Sequence, residues 1–100
     1  MNILNTTEFK NLLAEGGRIV TDFYADWCGP CAMLAPVLEN LSENHDDVEF
    51  VKVNVDESPD LAREYGIDAI PCVICFENGL VTAKSVGFVS EQQLEERLGL

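Results

Sequence analysis

The sequence predicts an α/β fold built on a mixed sheet, parallel in one half and antiparallel in the other, with helices on both faces. Three observations carry this reading. An apolar, β-branched run over residues 19–24 is followed by a helical pattern from Cys31 and a second strand-like run over residues 48–55. Strand, helix and strand in that order form a βαβ unit, which requires a parallel pair with a right-handed crossover. Asn78-Gly79 then separates two further strand-like runs, and this dipeptide favours a two-residue hairpin turn between antiparallel strands.

Each element has its own local signal. Asn5 and Glu8 stand at capping-box spacing, Phe9, Leu12 and Leu13 give an apolar helix face, and Gly16-Gly17 ends it. Ile19 to Tyr24 reads as the first strand. From Cys31 the positions Leu34, Ala35, Leu38 and Leu41 recur at helical spacing. Pro36 falls inside this pattern and is expected to kink the helix without ending it, because the period continues beyond it. Val48, Phe50, Val51, Val53 and Val55 mark the second strand. Ser58 as cap with Pro59 at the first helical position opens a short helix that Gly66 closes. Pro71 precedes a third strand, Cys72 to Phe76, and the hairpin leads into a fourth, Leu80 to Val86. Ser90 with Gln93 caps a last helix carrying Leu94 and Leu98.

The 100 residues, 47% of them apolar, suit a single domain spanning residues 1–100, large enough to bury a core without disulfide staples. No repeat, low-complexity stretch or linker interrupts them. The first residues lack a basic region followed by a long apolar run, so no signal peptide is expected. No apolar run approaches the roughly 18 residues of a membrane span. The expected compartment is the cytoplasm, where a lasting structural disulfide is unusual. A net charge of −12 repels nucleic acid and anionic lipid. It has two positive readings, solubility and the steering of basic partner surfaces.

Asp26-Trp27-Cys28-Gly29-Pro30-Cys31 carries the chemistry. Two cysteines at this spacing can form a structural disulfide, half of a zinc site, or a redox dithiol. Cys28 falls where a strand ends and a helix begins, and the free N–H groups and partial positive charge of a helix start favour a thiolate. The thiolate is the nucleophile of disulfide exchange, so Cys28 is the expected attacking thiol. Pro30 suits the first turn, where its missing N–H is no loss. Cys31, within that turn and expected to be the more deeply covered, suits the resolving thiol. Asp22 is a carboxylate inside an apolar strand, so burial should raise its pKa. It stands six residues before Cys28 on the strand leading to it, and is a candidate proton acceptor for Cys31. Lys52, inside the neighbouring apolar run, is a candidate charge partner of Asp22, or a solvent-facing residue whose stem covers the sheet.

The stretch Val20 to Cys31 closely resembles the thioredoxin family. So do Lys52-Val53-Asn54-Val55-Asp56, Tyr65-Gly66-Ile67 with Ile70-Pro71, and Val86-Gly87 ahead of the last helix, in the family's order along the whole chain. The resemblance implies a sheet of about five strands flanked by four helices, and general protein-disulfide reductase activity. It implies Cys28 as nucleophile, Cys31 as resolver, Asp22 as buried proton carrier and Lys52 as its neighbour. A cis Pro71 beside the dithiol is implied too, with Trp27, Gly29, Pro30, Ile70, Pro71 and Gly87 around a groove for extended substrate segments. Backbone groups beside Pro71 would pair with the incoming chain as an added strand does. The redox group would be the Cys28–Cys31 disulfide itself, with no bound cofactor and no metal. The implied partners are disulfide-containing target proteins and a thioredoxin reductase, flavin-based with NADPH or ferredoxin-dependent. An exposed groove on a monomer meets these needs.

Two positions depart from the family pattern. Ala32 stands where Lys is common, which removes a cation near the thiolate and bears on which reductase docks. Cys72 stands where Thr is usual, with Cys75 three residues on. Along a strand these two face opposite sides, with Cα atoms roughly 10 Å apart, beyond disulfide reach. They are expected to be small buried residues, although Cys72, next to Pro71, is also a candidate for oxidation, capping or metal coordination. Two rival readings of other classes remain: a four-cysteine zinc module, and an interaction subunit that keeps the fold for docking. Gly-Pro between the cysteines, in place of the His common in oxidising relatives, argues against oxidase or isomerase roles. The one histidine, His45, is expected to be solvated.

Overall fold

A computed structural model describes all residues, 1–100. The elements follow in the order β1 (Asn2–Ile3), α1 (Thr6–Ala14), β2 (Arg18–Tyr24), α2 (Gly29–Asn44), β3 (Glu49–Asn54), α3 (Pro59–Glu64), β4 (Cys72–Glu77), β5 (Leu80–Val86) and α4 (Glu91–Leu98). The five strands form one sheet in the order β1-β3-β2-β4-β5. β2 pairs parallel with β3, and β3 with β1, whereas β2–β4 and β4–β5 are antiparallel. The expected division of the sheet therefore holds. Its fifth strand, β1, had no local signal: two residues show no period, and they are strand because they pair with Val51 and Lys52.

Helix ends follow the expected chemistry with one exception. Asn5 and Ser90 each make a full capping box, with Glu8 and Gln93 respectively. Ser58 occupies the cap position of α3 and is buried, but its side chain makes no capping bond. α2 runs through Pro36. The hairpin has positive φ at both Asn78 (51°) and Gly79 (83°), the conformation that matches strand twist and that this dipeptide adopts most cheaply. Asn78 is also tied to the α1–β2 loop, since Gly17 N–H donates to its Oδ1 at 2.9 Å.

The sheet separates two apolar cores. Val20, Phe50, Val73 and Cys75 face Leu34, Leu38 and Leu41 of α2 and Leu94 and Leu98 of α4. Ile19, Phe23, Val51, Val53, Cys72, Ile74 and Phe76 face Phe9 of α1 and Leu61 of α3. Alternation along each strand thus places Cys72 and Cys75 on opposite sides, as the strand period requires. Both are free and fully buried. His45, expected to be solvated, instead pairs with Glu95 at 3.0 Å and joins the end of α2 to α4. The pair depends on where α4 docks, which no local pattern around His45 encodes.

Candidate active site

β2 delivers the chain to the site and α2 carries it away. Cys28 is the N-cap of α2, and its Sγ accepts a hydrogen bond from the Cys31 N–H at 3.2 Å. This is one of the orphan donors of a helix start, aimed at sulfur, so the backbone stabilises negative charge there. Cys28 and Cys31 are joined as a disulfide, with Cα atoms 5.2 Å apart. One helical turn brings residues three apart onto one face, so the Gly29-Pro30 spacer needs no distortion to allow the bond. Cys31 is the more covered of the two only by a margin, with exposures of 5% for Cys28 and 4% for Cys31. What separates them is position, since the Cys28 sulfur also lies 3.9 Å from the Ile70 carbonyl oxygen.

The Ile70–Pro71 peptide bond is cis. Pro71 is held by the end of β5, where Gly87 N–H donates to its carbonyl at 2.8 Å. Gly87 has φ +87°, a conformation that disfavours any residue with a Cβ. Trp27 is 72% exposed, yet its indole Nε1–H donates to Asp56 Oδ2 at 2.8 Å. Asp56 is set in turn by Asn54, whose Oδ1 accepts the Asp56 N–H at 2.9 Å. Neither Asn54 nor Asp56 stood out as a site residue in the sequence. The tandem Asn-x-Asp after an apolar strand, a turn-forming pattern, is the signal that could have found them.

A trough of about 220 Å³ runs beside this face, lined by Trp27, Val55, Ala62, Ile67, Asp68 and Ile70 among others. On the other flank of the disulfide a cleft of about 180 Å³ is walled by Ala32, Ala35, Tyr24 and Lys52. Ala32 is exposed and brings no cation to this cleft, whose one basic side chain is Lys52.

Asp22 is 1% exposed, and neither carboxylate oxygen has a hydrogen-bond partner. It shares the strand face of Val20, the side covered by α2. Burial lifts its pKa to about 6, with the Lys52 charge partly opposing the rise. Lys52 is the register partner of Asp22 on β3, and its ammonium sits 4.3 Å from the centre of the Tyr24 ring. The partly buried Lys52 is thus a charge neighbour of Asp22 without a direct ion pair to it.

Cys72 is brought beside Pro71 but points away from the solvent, into the core of Phe23 and Phe76. Burial pushes its thiol pKa up, away from the thiolate that oxidation, capping or coordination requires. The candidate role for Cys72 in modifying the site therefore finds no support in its placement. A four-cysteine zinc site is excluded by geometry, since one pair is bonded and the other is split across the sheet.

Comparison with known proteins agrees with this arrangement. The thioredoxin family model matches residues 1–99. The thioredoxin of Mycoplasmoides gallisepticum is 41% identical over 97 residues, covering 97% of each chain. The mitochondrial thioredoxin-3 of Saccharomyces cerevisiae is 45% identical over 85 residues, which cover 85% of this chain and 67% of that one. Its oxidised crystal structure superposes with a TM-score of 0.89 at 41% identity, over 99% of this chain and 93% of the other. Thioredoxin of Fasciola hepatica gives 0.89 at 34% identity, over 99% and 97%. With its cysteine pair at the head of α2, the chain belongs to the thioredoxin family and is a disulfide-reducing thiol–disulfide oxidoreductase whose redox group is its own disulfide.

Proposed function

We propose that Cys28 attacks and Cys31 resolves in a cytoplasmic, monomeric protein-disulfide reductase acting as a single domain of residues 1–100. In the reduced protein the Cys28 thiolate attacks one sulfur of a target disulfide. A Cys28–target disulfide forms, and the first target thiolate leaves and takes up a proton. Cys31 then gives its proton to the Asp22 carboxylate, and its thiolate attacks Cys28 Sγ. The Cys28–Cys31 disulfide forms and the second target thiolate leaves, so two electrons pass to the target. A thioredoxin reductase, flavin-based with NADPH or ferredoxin-dependent, returns the electrons, as it generally does for this family, and makes the chain an electron carrier in cell redox homeostasis.

The carrying observation is the Cys31 N–H aimed at Cys28 Sγ, which favours negative charge on Cys28. The Asp22 role is supported by a pKa of about 6, which leaves most of the group ionised and able to accept a proton at neutral pH. Lys52 holds that value down from what burial alone would give. Trp27, Gly29, Pro30, Ile70, Pro71 and Gly87 frame the binding face, and the backbone next to Pro71 pairs with an extended target segment. Ala32 supplies no cation to the Cys28 thiolate from the position that follows Cys31.

The test is a trap. With insulin as target, a Cys31→Ser variant should accumulate a mixed disulfide on Cys28, while Cys28→Ser should accumulate none. A trap formed on Cys31 instead would reverse the two roles. Insulin reduction by dithiothreitol at no more than its uncatalysed rate would leave only a docking function.

A further inference from the structure

We propose that the trough beside the dithiol selects target segments carrying Arg or Lys next to the attacked cysteine, with Asp68 as the specificity-determining residue. This rests on the assignment of Cys28 as the attacking thiol. Two independent features of the trough favour a cation on an apolar stem. The first is Asp68, a carboxylate that lines the trough, is exposed to solvent and takes part in none of the ion pairs of the structure. The second is the Trp27 ring, which lines the same trough, stands 72% exposed and is pinned by the bond from its Nε1 to Asp56. A pinned aromatic face attracts a guanidinium or ammonium over the ring.

Between these features Val55, Ala62, Ile67 and Ile70 supply an apolar floor. Arg and Lys are the side chains that bury an aliphatic stem while keeping a charged head in water. None of the chain's six cations lines the trough to compete for Asp68. An acidic segment would meet both Asp68 and the net charge of −12. The Ile70 carbonyl, 3.9 Å from Cys28 Sγ, joins the trough to the reacting sulfur, so a segment lying in it is presented for attack. The overall charge then has a second use beyond solubility, which is to speed encounter with basic segments.

The experiment measures kcat/KM for the reduced full chain on extended peptide disulfides that differ only at the positions flanking the attacked cysteine. Those positions carry Arg, Gln, Leu or Glu, and released thiol is read. Arg should exceed Glu by about fivefold at low salt, the scale of one exposed charge contact. The ratio should shrink toward one at about 0.5 M salt. Asp68→Asn should cut the ratio of Arg to Glu, and Asp68→Arg should cut it further, to about one or below. Glu49→Gln removes the same charge at the start of β3, the end of the sheet away from the disulfide, and should leave the ratio alone. A ratio that survives Asp68→Arg, that falls equally in Glu49→Gln, or that ranks Leu above Arg overturns the proposal. Failure to reduce even the Gln peptide overturns the assignment of the dithiol, and this inference with it.

Discussion

Cys28 and Cys31 sit three residues apart at the start of a helix, and Cys72 and Cys75 sit three apart along a strand. At the helix start the spacing closes: the Cα atoms are 5.2 Å apart and the sulfurs are bonded. On the strand the same spacing sends the two thiols into different cores. The backbone period, 3.6 against 2, decides whether a Cys-x-x-Cys is a site. A second difference lies in what surrounds the sulfur. Cys28 receives a backbone N–H, whereas Cys72 receives apolar contacts that hold its proton on.

This contrast predicts which changes touch chemistry and which touch packing. The largest effect is expected for Cys28→Ser, which should bring disulfide reduction to background while costing little stability relative to the reduced parent, because a hydroxyl can accept the same N–H bond. Next is Asp22→Asn, which should slow turnover by roughly 10²-fold, the low end of general acid–base contributions. It also has a stability signature. Below pH 3.8, the ordinary value, Asp22 is neutral in folded and unfolded chains alike. Between there and about 6 the unfolded chain ionises first, so native stability falls as pH rises. Above that range the full penalty, about 3 kcal/mol, is present. The variant should therefore melt above the parent at alkaline pH and converge with it in acid; equal melting throughout would deny that Asp22 is a buried, unpartnered carboxylate.

The second pair should show the reverse profile. Cys75→Ser puts a hydroxyl into an apolar core and should cost about 1–3 kcal/mol by denaturant unfolding, with turnover of the folded protein retained. Lost turnover there would mean that the strand pair takes part in the chemistry after all. The smallest effect belongs to Ala32→Lys. A cation restored near Cys28 should lower its thiol pKa by a few tenths, the scale of a solvent-screened charge, readable by thiolate absorbance against pH. Coincident titration curves would remove Ala32 from the site's electrostatics.

Much of the molecule was legible because its signals are local. The strand run Ile19–Tyr24, the Asn5 and Ser90 boxes, the Asn78-Gly79 turn and the helix start at Cys28 are each set by neighbours in sequence. The parts that were not legible depend on distant partners. β1 exists because Val51 and Lys52 are there to pair with it. The Trp27–Asp56 bond spans 29 residues, and the His45–Glu95 pair spans 50. Ser58 shows the opposite failure, where a good local cap signal is present and the side-chain bond is not made. The small size of the difference in cover between Cys28 and Cys31 was also beyond a local reading, since it depends on how neighbouring segments pack over both sulfurs.

Trp27 is the chain's only tryptophan, and it is covalently next to Cys28. A disulfide close to an excited indole quenches its emission by accepting an electron, and a dithiol does so far less. Because the ring is tethered at Nε1 while its face stays open to solvent, its emission should report on the reacting sulfurs with little contribution from elsewhere in the fold. The unlabelled protein should thus carry its own optical gauge of oxidation state, with emission that rises on reduction and can be followed in real time without adding a dye or consuming a thiol.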